Sequence, residues 1–260
     1  MKSLFQKILS IYKKYRYPQT SHKNNAYKNF SENRGKTVIL VPVSSYIEPS
    51  VDESLRCLEK MGFTVWRKYG WSAIDQGRCA IAQEALDAGF EYLFWIDADV
   101  AFFSYDVCKV LSLNLPFVTA PYSVKGWPSL TTEFIDKDII LGEKGGLYPI
   151  KYGATGFMCT HRSVYEGIAE KLNLNKVKIW GGQHIAYPFF FPIIENGEYL
   201  GEDFAFCKRA RDAGFELFCD TRIRLSHVGK YSYSFQFLQN GLKDEPSSIK
   251  YKQSKKFQYS

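Results

Sequence analysis

Two carboxylates, those of Asp97 and Asp99, directly follow the apolar run Tyr92–Ile96. The run is short and rich in aromatic and β-branched residues, which is typical of a buried parallel strand. Side chains alternate along a strand, so we expect both carboxylates on one side as the chain leaves the sheet. Open α/β sheets bind their ligands at this carboxyl edge.

Neighbouring carboxylates repel each other, and a hard divalent cation that also binds phosphate oxygens would neutralise both Asp97 and Asp99. We therefore expect that removing either carboxylate relieves repulsion in the metal-free protein. A helix N-cap at one aspartate, with the other solvated, is the structural alternative.

Three further ionisable residues stand downstream in stretches with predictable structure. Glu202 and Asp203 open a predicted helix over 202–211, where acids interact favourably with the helix dipole and where one of them could act as a base. His227 lies in a predicted strand over 223–228. It is a candidate metal ligand, and a histidine satisfied within the sheet is the alternative.

The charge of the chain is uneven along its 260 residues, 45% of which are hydrophobic. Residues 1–36 contain nine Lys or Arg and one acidic residue, which leaves 25 basic and 26 acidic residues for 37–260 out of totals of 34 and 27. The near-neutral body does not favour a nucleic-acid-binding domain, so we expect no nucleic-acid partner.

The pattern along the chain divides it into three parts. Residues 1–17 carry an apolar stripe flanked by lysines, which predicts an amphipathic helix that either lies on an anionic membrane surface or docks on its own domain. We predict a basic N-terminal tail over 1–36, a folded domain over 37–232 and a polar C-terminal tail over 233–260.

The sequence also predicts a compartment. No apolar run approaches the ~20 residues of a membrane span, and the N-terminus lacks the pattern of a secretory signal. The six cysteines form no Cys-x-x-Cys pair, which favours a reducing environment. We predict a cytoplasmic protein, with peripheral membrane contact through the N-terminal tail left open.

The candidate residues are predicted to lie on alternating strands and helices. The predicted order is a strand at Thr37–Val43, a helix at Pro49–Met61, a strand at Phe63–Trp66, a helix at Ala73–Ala88 and then the strand before Asp97. This order predicts a doubly wound α/β sheet with a ligand crevice at the strand ends. No GxGxxG follows the first strand, which disfavours a dinucleotide fold of the dehydrogenase kind.

The second half of the chain is less regular. Residues 122–152 lose clear periodicity and are predicted to form a binding loop. A strand with the sequence FMCTHR follows Gly153 and Gly156, and Ser163 is expected to cap the next helix. Residues 180–200, rich in aromatic residues, are predicted to form an ordered wall beside the site.

A strand-end Asp-x-Asp, a Gly-x-x-Gly-Phe strand, a Glu-Asp at a helix start and a late His occur in one order, which resembles the GT-A class of nucleotide-sugar glycosyltransferases. The segment YLGEDFAFCKRARDAGFELFCDTRIRLSHVG is similar to small bacterial and viral members and, more distantly, to Anp1-type mannosyltransferases. The resemblance covers residues 37–232 and implies one Rossmann-like GT-A domain with a mixed, mostly parallel central sheet.

The resemblance implies a metal, Mn²⁺ or Mg²⁺, and a nucleoside-diphosphate sugar as donor. Asp99 would ligate the metal that holds the diphosphate, and Asp97 would contact the ribose or a metal-bound water. His227 would be the third protein ligand.

It also implies further contacts with the donor. Pro42 and Ser44 would border the nucleotide base, and the backbone from Gly153 to Gly156 would approach the donor sugar. Arg78 would reach a phosphate or the second aspartate.

The acceptor and the diphosphate complete the expected site. Arg78 and Lys125 could add neutralisation of the diphosphate. Glu202 and Asp203 would face the acceptor, with Asp203 preferred as the base because its shorter side chain is more rigidly placed.

These residues predict a metal-dependent enzyme, with hexosyl transfer favoured, that moves a sugar to a hydroxyl of a glycan, lipid or protein. Whether the reaction is inverting or retaining stays open. The alternative is a catalytically inactive GT-A-like domain that binds a glycan or nucleotide. A haloacid-dehalogenase-like phosphohydrolase is disfavoured, because Ala101 stands where its Asp-x-Asp motif continues to Thr or Val.

Overall fold

The computed structural model describes residues 32–229, 232–234 and 250–253. Strands and helices alternate in the first half of this part. In order, they are β1 (Thr37–Val43), α1 (Pro49–Lys60), β2 (Thr64–Tyr69), α2 (Ile74–Asp87), β3 (Tyr92–Ile96), β4 (Val100–Ala101), α3 (Ser104–Ser112) and β5 (Phe117–Thr119).

Strands dominate the second half. It contains β6 (Thr132–Phe134), β7 (Asp138–Leu141), β8 (Leu147–Gly153), β9 (Phe157–His161), α4 (Arg162–Lys171), β10 (Val177–Ile179), a 3-10 helix (Trp180–Gly182), β11 (His184–Ala186), β12 (Ile193–Glu195) and β13 (Glu198–Leu200). The last elements are α5 (Glu202–Asp212), β14 (Phe218–Asp220), β15 (Ser226–Val228), β16 (Ser232–Tyr233) and β17 (Lys250–Gln253).

Eight strands form the central sheet, in the order β2-β1-β3-β9-β5-β14-β8-β6. β1 pairs in parallel with β2 and β3, and β5 pairs in parallel with β14. β9 runs antiparallel to β3 and β5, and β8 runs antiparallel to β14 and β6. All strands except β9 and β8 therefore point in one direction, so the predicted α/β fold with a mixed, mostly parallel sheet is confirmed.

Both faces of the sheet are covered, which explains the apolar composition of its inner strands. All residues of β1 and β3 are buried. Along β1, Val38 and Leu40 belong to one core cluster, while Ile39 and Val41 belong to the other, as alternation across a strand requires. α1 packs on the second face, where it buries Val51, Leu55 and Leu58, and α2 packs on the first.

Two expectations about local structure are wrong. Residues 122–152 are not a loop, because β6, β7 and β8 lie there and β8 pairs with β14, about 70 positions later in the chain. Ser163 does not cap α4. The N-cap is His161, whose side chain accepts a hydrogen bond from the backbone amide of Ser163.

The predicted tails are described only in part. Residues 1–31, with the predicted amphipathic helix over 1–17, lie outside the described residues. Within the predicted C-terminal tail over 233–260, Lys250–Gln253 form β17, which pairs in parallel with β7. In the part of the chain that the structure describes, no helix is both long enough and apolar enough to cross a membrane.

Candidate functional site

The carboxyl edge of the central sheet brings several predicted site residues together. Asp97 directly follows β3, and its backbone amide donates a hydrogen bond to the carbonyl of Gly156 (3.1 Å), just before the oppositely directed β9. Ser44 is exposed directly after β1, whereas Pro42 is buried within that strand, beside Lys68 of β2.

Asp97 and Asp99 diverge, which corrects the expectation that both project to one side. The chain turns at Ala98 and Asp99, and the amide of Val100 donates to the carbonyl of Asp97 (3.2 Å). Strand alternation therefore ends at Ile96. Each carboxylate has a cationic partner of its own, so mutual repulsion does not dominate either environment.

Asp97 pairs with Arg78, which projects from α2. The Nη2 atom of Arg78 lies 2.7 Å from Oδ1 of Asp97, and its Nε atom lies 3.8 Å from Oε1 of Glu202. Arg78 thus contacts the first aspartate, not the second, because α2 packs over β3 and Asp97 faces it.

The guanidinium of Arg78 belongs to the protein interior. The residue is 2% exposed, and its Cζ atom lies 5.5 Å from the ring centre of Trp95. Its buried Nε and Nη1 atoms have no hydrogen-bond partner in the described chain. Burial lowers the pKa of Arg78, but Asp97 and Glu202 more than offset this effect and raise the pKa overall. The guanidinium is therefore a fixed positive charge behind the acids, and it is too deeply buried to meet a phosphate directly.

Asp99 faces a different set of groups. Its Oδ2 atom lies 2.5 Å from Nζ of Lys125, and its Oδ1 atom lies 3.6 Å from Nε2 of His227. Burial raises the pKa of Asp99, but His227 and Lys125 outweigh it and lower the pKa to about 2. Asp99 is therefore ionised throughout the neutral range.

β15 places His227 next to Asp99. It pairs with β4 immediately after Asp99, with His227 opposite Val100, and the amide of Val228 donates to the carbonyl of Asp99 (2.7 Å). Nδ1 of His227 lies 3.0 Å from the carbonyl oxygen of Ser123, which can only accept, so Nδ1 carries the proton. Nε2 is then the ring nitrogen that is directed at Asp99, where it could bind a cation.

Two of these side chains, Asp99 and His227, are placed so that they could hold a divalent ion between them. In residues 32–229, 232–234 and 250–253, no three His, Cys, Asp or Glu side chains are grouped to hold a metal. Asp99 and His227 would be the two protein ligands, while Asp97 faces Arg78 instead of completing the predicted set of three. A site with so few protein ligands would leave positions on the ion for water and phosphate oxygens.

Glu202 and Asp203, in the first turn of α5, have different surroundings. Glu202 is near Arg78, whereas Oδ1 of Asp203 accepts a hydrogen bond from the amide of Phe204 (2.8 Å). Burial and the neighbouring charge of Glu202 raise the pKa of Asp203 to about 6, although the Phe204 amide and Arg78 act in the opposite direction. Asp203 is thus unusually basic for an aspartate.

The two predicted glycines differ in position. A Cβ atom at Gly156 would collide with the hydroxyl of Tyr122 and lie 3.0 Å from Oδ2 of Asp97, so this backbone is close to the site. A Cβ atom at Gly153 would lie 2.7 Å from Cγ2 of Thr119, within the core. Core packing therefore explains the glycine at 153.

Sequence reasoning missed two groups that shape the site. The ring of Tyr122 lies 5.1 Å from that of His227, edge to face, and the Ser123 carbonyl orients His227. Both residues follow β5 at the carboxyl edge of the sheet. That position is the signal that could have identified them.

Comparisons with known proteins give a fold and no family. No family model and no curated protein matches this chain. The solved structure of A197 from STIV is similar to it, with a TM-score of 0.53, 14% sequence identity and coverage of 77% of this chain and 90% of that one. At this identity the similarity shows the fold alone.

A second solved structure is a glycosyltransferase involved in the glycosylation of the major capsid of PBCV-1. It is 17% identical, with a TM-score of 0.28 and coverage of 50% of this chain and 62% of that one. A TM-score this low carries no argument about this chain.

The separate pairing of the aspartates predicts different effects on stability. Asp97→Ala leaves the buried charge of Arg78 without its nearest partner, so we expect the free energy of unfolding to fall by about 3 kcal/mol. The matched variant Asp99→Ala frees the partly exposed Lys125 and should change it by about 1 kcal/mol or less. Urea unfolding measures the free energy of unfolding of both variants. Equally small losses in the two would contradict the separate ion pairs of Asp97 and Asp99.

The raised pKa of Asp203 predicts a pH dependence of stability. The folded protein holds this proton up to about pH 6, whereas the ordinary pKa is 3.8, so its contribution to stability declines as pH rises between these values. The two-unit shift corresponds to about 3 kcal/mol. Asp203→Asn lacks this contribution. In urea unfolding, the free energy of unfolding of the variant should therefore rise by that amount relative to wild type between pH 4 and pH 6.5. Asp212→Asn, at the other end of α5, is the control, and a constant difference for Asp203→Asn would contradict the assignment.

Proposed function

We propose that this protein is a glycosyltransferase that moves a sugar from a nucleoside-diphosphate sugar to a hydroxyl group, with a divalent ion bound by Asp99 and His227. One observation carries the proposal. A single edge of the α/β sheet holds both a pair of groups suited to a phosphate-bound cation and, nearby, a carboxylate made unusually basic.

The donor half of the site follows from the charge that develops in the reaction. When the bond between the sugar and the diphosphate breaks, negative charge accumulates on the leaving phosphate. The ion, Mn²⁺ or Mg²⁺, would supply neutralisation of that charge without proton transfer. Lys125 is a partly exposed cation on Asp99, from which its Nζ atom can turn to a phosphate oxygen.

Arg78 acts on the donor indirectly. Its guanidinium holds Asp97 at 2.7 Å from inside the protein, so Asp97 is fixed next to Gly156. A fixed Asp97 can accept hydrogen bonds from the ribose or from a water molecule on the ion. The exposed Ser44, after β1, is available to border the nucleotide base.

Asp203 has the properties expected of the base that takes the proton of the acceptor hydroxyl. A base works best when its pKa is close to the working pH, and the pKa of Asp203 is about 6. Glu202 is less suited, because its carboxylate lies towards Arg78. This division supports an inverting reaction. A retaining reaction would not use Asp203 in this way.

The first test is turnover. Radiolabelled sugar nucleotides, incubated with the protein and Mn²⁺, should release free or transferred sugar, and Asp99→Asn should abolish the release at saturating donor. Asp212→Asn is a control carboxylate away from the site. Stable nucleotide binding without any release would favour the inactive binding domain instead, and undiminished release by Asp99→Asn would contradict the metal site.

The second test separates the two acids. Asp203→Asn keeps the size of the side chain and removes its basic oxygen, so turnover should fall by ~100- to 10,000-fold while donor affinity is nearly unchanged. Glu202→Gln is the matched variant and should retain more activity. The reverse ranking would make Glu202 the base. Full activity in both variants would exclude this pair as a base and favour a retaining reaction.

A further inference from the structure

A compact group of aromatic rings lies at the same edge of the sheet, outside the acidic site. It consists of Trp71, Trp180 and His184, here called the aromatic cluster. The rings of Trp71 and Trp180 are 5.3 Å apart at 63°, and those of Trp71 and His184 are 5.2 Å apart at 49°. Both tryptophans are partly exposed and His184 is exposed, so the cluster reaches the protein surface.

Two residues of α2 hold the cluster in place. The ring of Trp71 lies over Gly77, where a Cβ atom would be 2.8 Å from the ring atom Cγ. Gln76 fixes the backbone of Trp180 by accepting a hydrogen bond from its amide on Oε1 (3.0 Å). Any larger residue at 77 would displace the ring, so the sequence around α2 is fitted to Trp71.

The backbone at Trp180 indicates that its ring is needed there. Trp180 has φ 52°, and Gly181 and Gly182 continue in the left-handed region with φ 63° and 90°. Glycine adopts this region without cost, whereas a bulky side chain is strongly disfavoured in it. The turn alone would favour a third glycine, and strained residues of this kind are concentrated at binding sites.

The chemistry of the cluster matches a carbohydrate ring. Aromatic faces pack against the apolar C–H face of a pyranose, and nearby N–H groups bind its hydroxyls. Within the described residues, the indole nitrogens of Trp71 and Trp180 and the amide nitrogen of Gln76 have no hydrogen-bond partner. The cluster therefore combines flat apolar surface with donors that remain available.

The position of the cluster separates it from the donor half of the site. The loop after β1 is bonded to the aspartate turn through the amide of Glu48 and the carbonyl of Ala98 (2.9 Å), on the side of Asp99. The cluster is instead built on α2 at Gln76, which lies at the same end of the helix as Arg78 but ~200° away around the helix axis. Arg78 in turn contacts Glu202, which is adjacent to Asp203.

We propose that the aromatic cluster is a carbohydrate subsite that stacks a hexopyranose unit of the acceptor. Its role as an acceptor subsite rests on the proposed function, but carbohydrate binding by the cluster does not. The acceptor is then a glycan or glycoconjugate, with a sugar on the cluster and its hydroxyl directed towards Asp203.

Trp180→Gly is the informative variant, because glycine suits φ 52° and the fold should keep or gain thermal stability. Saturation-transfer NMR would measure the binding of methyl α-glucoside, methyl β-galactoside and methyl α-mannoside. We expect saturable binding of at least one of them to wild type and affinity about tenfold lower in Trp180→Gly. Tyr199→Ala removes an exposed aromatic ring on the hairpin of β12 and β13 and should bind as wild type does.

Each outcome of these measurements supports or overturns either the carbohydrate subsite or the transferase. No saturable binding of any of the three glycosides, equal binding by Trp180→Gly, or an equal loss in Tyr199→Ala would overturn the subsite. Binding that depends on Trp180, in a protein that never releases sugar from a donor, would keep the carbohydrate subsite and remove the transferase. Turnover of a donor, together with glycoside binding that does not depend on Trp180, would keep the transferase and remove the carbohydrate subsite.

Discussion

A guanidinium inside a protein needs opposite charge beside it, and Arg78 is the residue on which this site depends. α2 places it against Trp95 of β3, where it is 2% exposed. Asp97 at 2.7 Å and Glu202 at 3.8 Å compensate its charge, and they lie directly after β3 and at the start of α5, elements far apart in sequence. The buried cation thus joins three elements at the carboxyl edge and fixes how the remaining acids are arranged.

This constraint divides four carboxylates into two kinds. Asp97 and Glu202 neutralise Arg78, which leaves Asp99 and Asp203 for other work. Asp99 is ionised beside His227 and Lys125, while Asp203, partly buried and next to Glu202, has a pKa of about 6. A carboxylate that binds a cation needs a low pKa, whereas a carboxylate that acts as a base needs a pKa near the working pH. The order of the strands and the start of α5 place both residues at the carboxyl edge of the sheet, and this arrangement is the physical basis of the proposed transfer reaction.

The sequence predicted the parts of this arrangement that depend on local pattern. β1 and β3 have the predicted limits because burial on both faces makes them continuous apolar runs between polar residues. The strands within 122–152 were missed because β6 and β8 depend on pairing with distant partners. The turn at Asp99 and the contact of Arg78 with Asp97 were missed for a related reason. Local periodicity indicates the face of an element, but not which side chains meet across a packed interface.

If Asp99 and His227 form a cation site for a nucleoside diphosphate, Mn²⁺ binding can be measured by electron paramagnetic resonance in the presence of UDP or GDP. We expect that one nucleotide makes the wild-type protein bind Mn²⁺ saturably, and that His227→Ala weakens this binding about tenfold or more. His161→Asn, which keeps a helix cap at the start of α4, should bind as wild type does. Failure of both nucleotides to promote Mn²⁺ binding, or unchanged binding by His227→Ala, would exclude a cation site at Asp99 and His227.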